Sequence, residues 1–221
     1  MGEKAVMLLS EYDKKRYYLR EKGVIFINIL FSLSILITLV PLLSIIALLI
    51  AFESPGPVLF RQKRLGKNGN AFLIYKFRSM FHNGDQSIHK NFIAQALKNP
   101  SGKPIEYRIK NDPRITRVGK WLRKLSLDEL PQFLNVLKGD MNIVGPRPLL
   151  TYEAEYFQDW HWQRLIIKPG ITGLYQVSAR GRVPFDEMVK KDIEYIRQRT
   201  LWLDLKLILL TVRAILERTG G

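Results

Sequence analysis

The sequence predicts an α+β, predominantly helical monotopic membrane protein with an N-terminal re-entrant helix–break–helix and a small β-hairpin. Three observations point there: an uncharged apolar run over 24–52, a proline inside it with basic residues on both flanks, and helical periodicity through much of the second half of the 221-residue chain. Three regions follow: an amphiphilic segment over 1–23, the membrane helix over 24–52 broken at Pro41, and a cytoplasmic globular domain over 53–221 with membrane-interface helices.

The apolar run would make about 43 Å of helix, more than the roughly 30 Å of a bilayer core. It is too long for a signal-peptide core, and Glu53-Ser54-Pro55-Gly56-Pro57 after it has no small-x-small cleavage pattern. Pro41 removes a helical hydrogen bond, so a kink or break is expected near Val40, leaving arms of about 26 and 16 Å. Lys14, Lys15, Arg16, Arg20 and Lys22 precede the run, and Arg61, Lys63, Arg64, Lys67, Lys76 and Arg78 follow it. The positive-inside rule places both flanks in the cytoplasm, which a re-entrant path satisfies; a kinked spanning helix is the alternative. Asn28, Ser32, Ser34 and Thr38 offer polar groups for backbone freed at the break, and Tyr12, Tyr17 and Tyr18 suit an interfacial belt.

Beyond the membrane run, Val58-Leu59-Phe60, the loop Gly66-Lys67-Asn68-Gly69-Asn70 and the stretch 71–77 read as a hairpin. A short helix is expected over 87–97, ended by Asn99-Pro100-Ser101-Gly102. Asp112 reads as an N-cap with Pro113 at the first helical position. Ile115, Val118, Leu122 and Leu125 then form one apolar stripe, while Arg114, Arg117, Lys120 and Lys124 form a basic face open to solvent, lipid headgroups or phosphates. A further helix starts near Asp128, capped by Asp128 or by a Ser126/Glu129 box, and stops before Gly139. Leu201, Trp202, Leu205, Ile208, Leu209, Val212 and Leu216 share a last helical face that packs on the core or lies in the membrane interface.

A formal charge of +15 implies anionic partners, and the absence of cysteine excludes disulfides, thiolate chemistry and iron–sulfur clusters. No Walker motif, dinucleotide fingerprint or zinc pattern occurs, and His82, His89 and His161 lack metal spacing. What remains is a set of carboxylates, arginines and tight turns: Asp128-Glu129, Gly145-Pro146-Arg147-Pro148, Lys168-Pro169-Gly170-Ile171-Thr172-Gly173 and Arg180-Gly181-Arg182. Guanidinium forks suit phosphate oxygens, and a carboxylate at a helix N-terminus stays ionised, as a nucleophile or Mg²⁺ ligand requires. Plain helix capping by Asp128 and Glu129 is the alternative.

The ordered set of motifs resembles the monotopic polyprenyl-phosphate phosphoglycosyl transferases, or bacterial sugar transferases, over roughly residues 24–218. It runs through Phe60-Arg61-Gln62-Lys63-Arg64-Leu65-Gly66, Tyr75-Lys76-Phe77-Arg78-Ser79-Met80 and Asn111-Asp112-Pro113-Arg114-Ile115-Thr116. Leu125-Ser126-Leu127-Asp128-Glu129-Leu130-Pro131-Gln132, Asn135-Val136-Leu137-Lys138-Gly139-Asp140-Met141 and the Gly145 and Lys168 segments complete it. The resemblance implies a re-entrant helix and a catalytic Asp128–Glu129 dyad. Asp128 would attack the β-phosphorus of a nucleotide diphosphate sugar and bind Mg²⁺, and the resulting phosphosugar would pass to undecaprenyl phosphate. Lys76, Arg78, Arg114, Arg123, Arg147, Arg180 and Arg182 are the candidate phosphate or substrate ligands. Two departures stand out: Val40-Pro41 where relatives often have Ser-Pro, and Ala179 in Gln176-Val177-Ser178-Ala179-Arg180 where they have glycine. The implied protein is a catalytic unit without the further N-terminal helices and domain of larger relatives. It would use uridine diphosphate galactose or glucose at the cytoplasmic face of the inner membrane to start an exopolysaccharide, capsule or O-antigen unit. Anionic phospholipid is an expected partner, nucleic acid is not, and a homodimer is left open.

Overall fold

A computed structural model of the chain describes residues 11–82, 87–98, 109, 112–179 and 183–217. Helix α1, Glu11–Glu53, is one element with Pro41 inside it. Of the expected kink or break, an end to the helix does not occur: the proline removes the donor facing the Ile37 carbonyl, and the helix continues through it. Unpaired backbone in apolar surroundings costs several kcal/mol, so the flanking turns keep their hydrogen bonds. The stretch Gly23–Glu53 is long and apolar enough to cross a membrane, and Phe26, Ile37, Val40, Leu48 and Phe52 are exposed along it.

One stripe of α1 is not exposed, and it packs along most of its length on the globular body. Near its start, Asn28 Nδ2 donates to Asn142 Oδ1 at 3.0 Å and Asn28 Oδ1 accepts the Ile143 amide at 3.4 Å. Ile35 and Leu36 then join a core that includes Phe133, Val136 and Ile143. Further on, Ile46 and Ile50 pack with Phe77 and Leu122. At the end, the Glu53 carboxylate accepts the Val118 amide at 3.0 and 3.1 Å, capping another helix.

Strands β1 (Leu59–Leu65) and β2 (Ala71–Phe77) form the expected antiparallel hairpin, longer on its first side than the apolar pattern suggested, with Leu59 opposite Phe77 and Leu65 opposite Ala71. Helix α2 is Ser87–Lys98, close to expectation, with Ile93 fully buried; the Asn99 to Gly102 stop lies outside the described residues. Helix α3, Arg117–Lys124, begins later than expected because Thr116, not Asp112, is its N-cap: Thr116 Oγ1 accepts the Gly119 amide at 2.9 Å. The Asp112 carboxylate is bound instead by the Arg114 side chain at 2.9 and 2.7 Å. Ile115 is held extended by an antiparallel bridge to Met80.

A 3-10 turn, Leu127–Glu129, precedes α4, Gln132–Leu137, and Gly139, with φ +81°, ends α4 as expected. Strands β3 (Asn142–Val144) and β4 (Gly170–Thr172) form a short parallel pair. A Cβ on Gly170 would lie 2.1 Å from the Gly145 amide nitrogen, so glycine is required for the backbones to meet. Two 3-10 segments, Thr151–Tyr156 and Asp159–Leu165, lie between these strands.

Helices α5 (Leu174–Ser178), α6 (Phe185–Gln198) and α7 (Leu201–Leu216) complete the chain. Helix α7 packs through Leu203, Leu207 and Ile208, and Thr211 shares a 2.6 Å hydrogen bond with Thr172 on β4. Most of the apolar face expected from its periodicity points away: Leu201, Trp202, Leu205, Leu209 and Leu216 are exposed.

Candidate active site

Local backbone chemistry sets the position of the two adjacent carboxylates. Ser126 adopts φ +56°, and Pro131, which has no amide to donate, stands at the cap of α4. The chain between them closes as the 3-10 turn that holds Asp128 and Glu129, and neither Asp128 nor a Ser126/Glu129 box caps α4. Asp128 is buried, while the Glu129 carboxylate meets Lys76 Nζ at 2.9 Å.

Lys76 reaches that carboxylate because β2 is pinned to α4 by a side chain that sequence reasoning did not single out. Asn135, fully buried, accepts the Tyr75 amide at 2.9 Å and donates to the Leu73 carbonyl at 2.7 Å. Burial pushes the Lys76 ammonium below its ordinary pKa, and the negative charges of Glu129 and Asp128 oppose that shift.

Arg147 is brought to the same place from the loop after β3. Its carbonyl accepts Arg164 Nη2 at 2.9 Å, and Arg164 is fully buried against Asp192, with Nε to Oδ2 at 3.0 Å. This pair, 28 residues apart, carried no sequence signal beyond two ordinary charges. Arg147 and Glu129 stand with Ser126 and Gln176 at the polar part of a cavity of about 260 Å³. The rest of the wall is largely apolar, contributed by Phe31, Ile35 and Leu39 of α1 and by Ile208, Val212 and Ile215 of α7. A larger hollow of about 500 Å³, beside Trp160 and Arg197, contains none of these site residues.

The other predicted ligands fall elsewhere. Arg78 is buried at the end of α1, donating to the carbonyls of Ile50, Ser54 and Pro57 and to Ser54 Oγ. Arg114 is paired with Asp112, and it holds the Asp112 carboxyl below its usual range. Arg123 ends α3 and acts electrostatically on Asp112; it does not line the cavity. Arg180 and Arg182 lie outside the described residues. His161 is a core residue whose Nδ1 accepts the Gln158 amide at 3.0 Å.

Among the described residues no three His, Asp or Glu side chains converge into a metal cage. Mg²⁺ rarely needs one, because one or two carboxylates plus substrate phosphates complete its shell. The Asp128 carboxylate is a donor of that kind, while Glu129 is engaged by Lys76 at 2.9 Å.

Residues 21–218 match the family model described as bacterial sugar transferase. The chain is 47% identical over 167 residues to the galactosyl transferase CpsE of Streptococcus agalactiae, covering 75% of this chain and 36% of that protein. It is 44% identical over 166 residues to the undecaprenyl-phosphate galactose phosphotransferase of Salmonella typhimurium, covering 75% and 35%. It is 37% identical over 194 residues to the exopolysaccharide production protein ExoY of Sinorhizobium fredii, covering 88% and 85%. The matched region thus spans about a third of the first two relatives and most of the third.

Proposed function

The chain belongs to the bacterial sugar transferase family, and from that premise we propose that it transfers a hexose 1-phosphate from a uridine diphosphate sugar, galactose or glucose, to undecaprenyl phosphate. The product would start a surface polysaccharide repeat unit. One observation carries this reading: a largely apolar cavity between α1 and α7 meets Glu129 and Arg147 at its polar part. That form suits a ligand with a hydrocarbon tail and a phosphate head, and a diphosphate sugar can reach the same carboxylates from the aqueous side.

In the first step an Asp128 carboxylate oxygen attacks the β-phosphorus. The bond from that phosphorus to the oxygen bridging the two phosphates breaks, and its electron pair leaves with uridine monophosphate. A lipid phosphate oxygen then attacks the same phosphorus, the phosphorus–Asp128 bond breaks, and the carboxylate returns. Lys76 and Arg147 hold phosphate oxygens as charge builds on them, and Glu129 positions the incoming lipid phosphate. Mg²⁺ held by Asp128 and the diphosphate would neutralise phosphate charge as the phosphorus becomes five-coordinate.

The enzyme works at the cytoplasmic face of the inner membrane, with α1 re-entrant. The attachment of α1 to one globular body through Asn28, near the start of its apolar stretch, and Glu53 at its end supports this path. A continuous helix does not oppose it, since proline bends helices without ending them.

Incubation with sugar nucleotide and Mg²⁺ but no lipid tests the mechanism. It should release at most one equivalent of uridine monophosphate and leave a hexose phosphate on the peptide containing Asp128. Asp128→Asn should lose adduct and turnover while staying folded. Monophosphate release only when lipid is also present, or an adduct on the Asn variant, would refute the assignment.

A further inference from the structure

Lys76 and Arg147 are not the only cations at the carboxylate turn. The end of β1 is stitched to the segment after Arg147: the Leu65 amide donates to the Leu149 carbonyl at 2.9 Å, and Arg64 forms a backbone bridge with Leu150. The Arg64 guanidinium is thereby set against the residue next to Arg147, donating through Nη1 to the Pro148 carbonyl at 3.3 Å and through Nη2 to Gln62 Oε1 at 2.8 Å. Two guanidinium-bearing segments are therefore locked side by side, and Arg64 shares a sheet face with Lys76, which stands opposite Phe60, four residues back along β1.

Such a gathering of like charge costs free energy unless anions balance it. Burial brings Arg64 down to about 10 and lowers Lys76 as well, and the charge of Arg147 adds to the fall in both. The balancing groups are Glu129, beside Lys76, and Glu153. Glu153 sits in the 3-10 segment after Leu150, 1% exposed. Burial pushes its carboxyl upward against the pull of Arg64, Arg147 and Arg164. Arg64 Nε and Glu153 Oε2 are both buried without a hydrogen-bond partner, which marks a network only partly satisfied as it stands.

We infer that Arg64 is a third cation of the donor-diphosphate clamp, with Lys76 and Arg147, and that Glu153, buried in the segment that follows the Arg64–Leu150 bridge, is the carboxyl that balances it until the diphosphate arrives. This rests on the transferase reading and adds the donor side of its site. Arg147 and Glu129 line the apolar cavity, whereas Arg64 and Lys76 do not. Arg64 thus stands on the side away from the lipid tail, and its loss should be felt by the donor alone.

The test uses the full chain in detergent, with uridine diphosphate as the equilibrium probe and donor and lipid KM measured separately. Arg64→Ala should weaken uridine diphosphate binding roughly ten- to hundredfold and raise the donor KM, with the lipid KM unchanged. Arg64→Lys, which keeps the charge but not the fork, should fall between. Lys63→Ala, on the same strand but exposed, should bind as wild type. Glu153→Gln should bind the probe at least as tightly as wild type, because a competing anion is gone. Should the alanine variant not fold, the lysine variant decides: several-fold weaker probe binding at unchanged Tm supports the inference. Wild-type probe affinity in the Arg64 variants, or an equal rise in both KM values, overturns it. A wild-type protein that binds the probe but never releases monophosphate would instead sink the transferase reading.

Discussion

Replacing Arg78 separates two roles that the Lys76-Phe77-Arg78 motif leaves confounded. If Arg78 bound substrate phosphate, its loss would weaken donor binding and leave the fold alone. The structure predicts the reverse. The side chain is 4% exposed and donates at 2.6–3.1 Å to three backbone carbonyls and one hydroxyl around the end of α1. The Ile50 carbonyl would keep the Ser54 amide at 3.4 Å, but alanine would take this donor from the Ser54 and Pro57 carbonyls, which lie just past the helix end. Because Nη2 has two hydrogens and three acceptors, the set amounts to two or three charge-assisted bonds. Arg78→Ala should therefore cost about 3–5 kcal/mol. For a chain of this size that lowers Tm by roughly 6–20 °C, and Arg78→Lys, able to reach fewer of the acceptors, should lose about half as much. Thermal unfolding in detergent measures the shift, and monophosphate release well below the variant's Tm measures the donor KM, which should stay within about threefold of wild type. An unchanged Tm with a tenfold or greater rise in donor KM would refute this reasoning and return Arg78 to the phosphate site.

Two further substitutions probe how the elements are joined. Asn28→Leu removes both hydrogen bonds between α1 and β3 and strands the Asn142 side chain, at a cost of about 1–3 kcal/mol; a variant as heat-stable as wild type would show that this junction contributes nothing. Asp112, whose carboxyl Arg114 holds below its ordinary value of 3.8, contributes stability that is present above that pH and lost as pH falls through the lower, folded value. The stability gap between wild type and Asp112→Asn, followed by chemical denaturation, should therefore be constant near neutrality and shrink below pH about 4; a gap that widens on acidification would reverse the assigned sign.

Features that rest on local chemistry were legible in the sequence. Twenty-nine consecutive uncharged residues leave little choice but a long apolar helix, Gly66 to Asn70 announces a hairpin turn, and Gly139 stops a helix where only glycine is comfortable. Features decided by distant partners were not. Asp112 has every mark of an N-cap, but a guanidinium two residues on competes for it and Met80 holds Ile115 extended. Arg78 binds carbonyls, which every residue possesses, so no pattern could distinguish it from a phosphate ligand. Strands β3 and β4 are three residues each, too short for alternation to register. The motifs named Asp128, Glu129, Lys76 and Arg147, and the fold gathers them. They did not mark Asn135 or Arg164 as the side chains that hold Lys76 and Arg147 in place.

The hydrogen bond between Asn28 and Asn142 joins residues 114 positions apart. At ordinary bacterial synthesis speeds of about 5–20 residues per second, the ribosome needs roughly 6–23 seconds to make the second partner after the first. On the proposed membrane path, α1 meets the bilayer during that interval, with the amide of Asn28 and the hydroxyl of Ser32 not yet covered by the body that will shelter them. The path of the helix is therefore settled while the nascent chain is still growing, by what the first segment itself contains: flanking cations, Pro41 and hydrocarbon length. The junction with β3 comes too late to choose that path. It serves as a lock that closes on a decision already made, so mutations there should shorten the lifetime of the finished protein more than they misdirect its insertion.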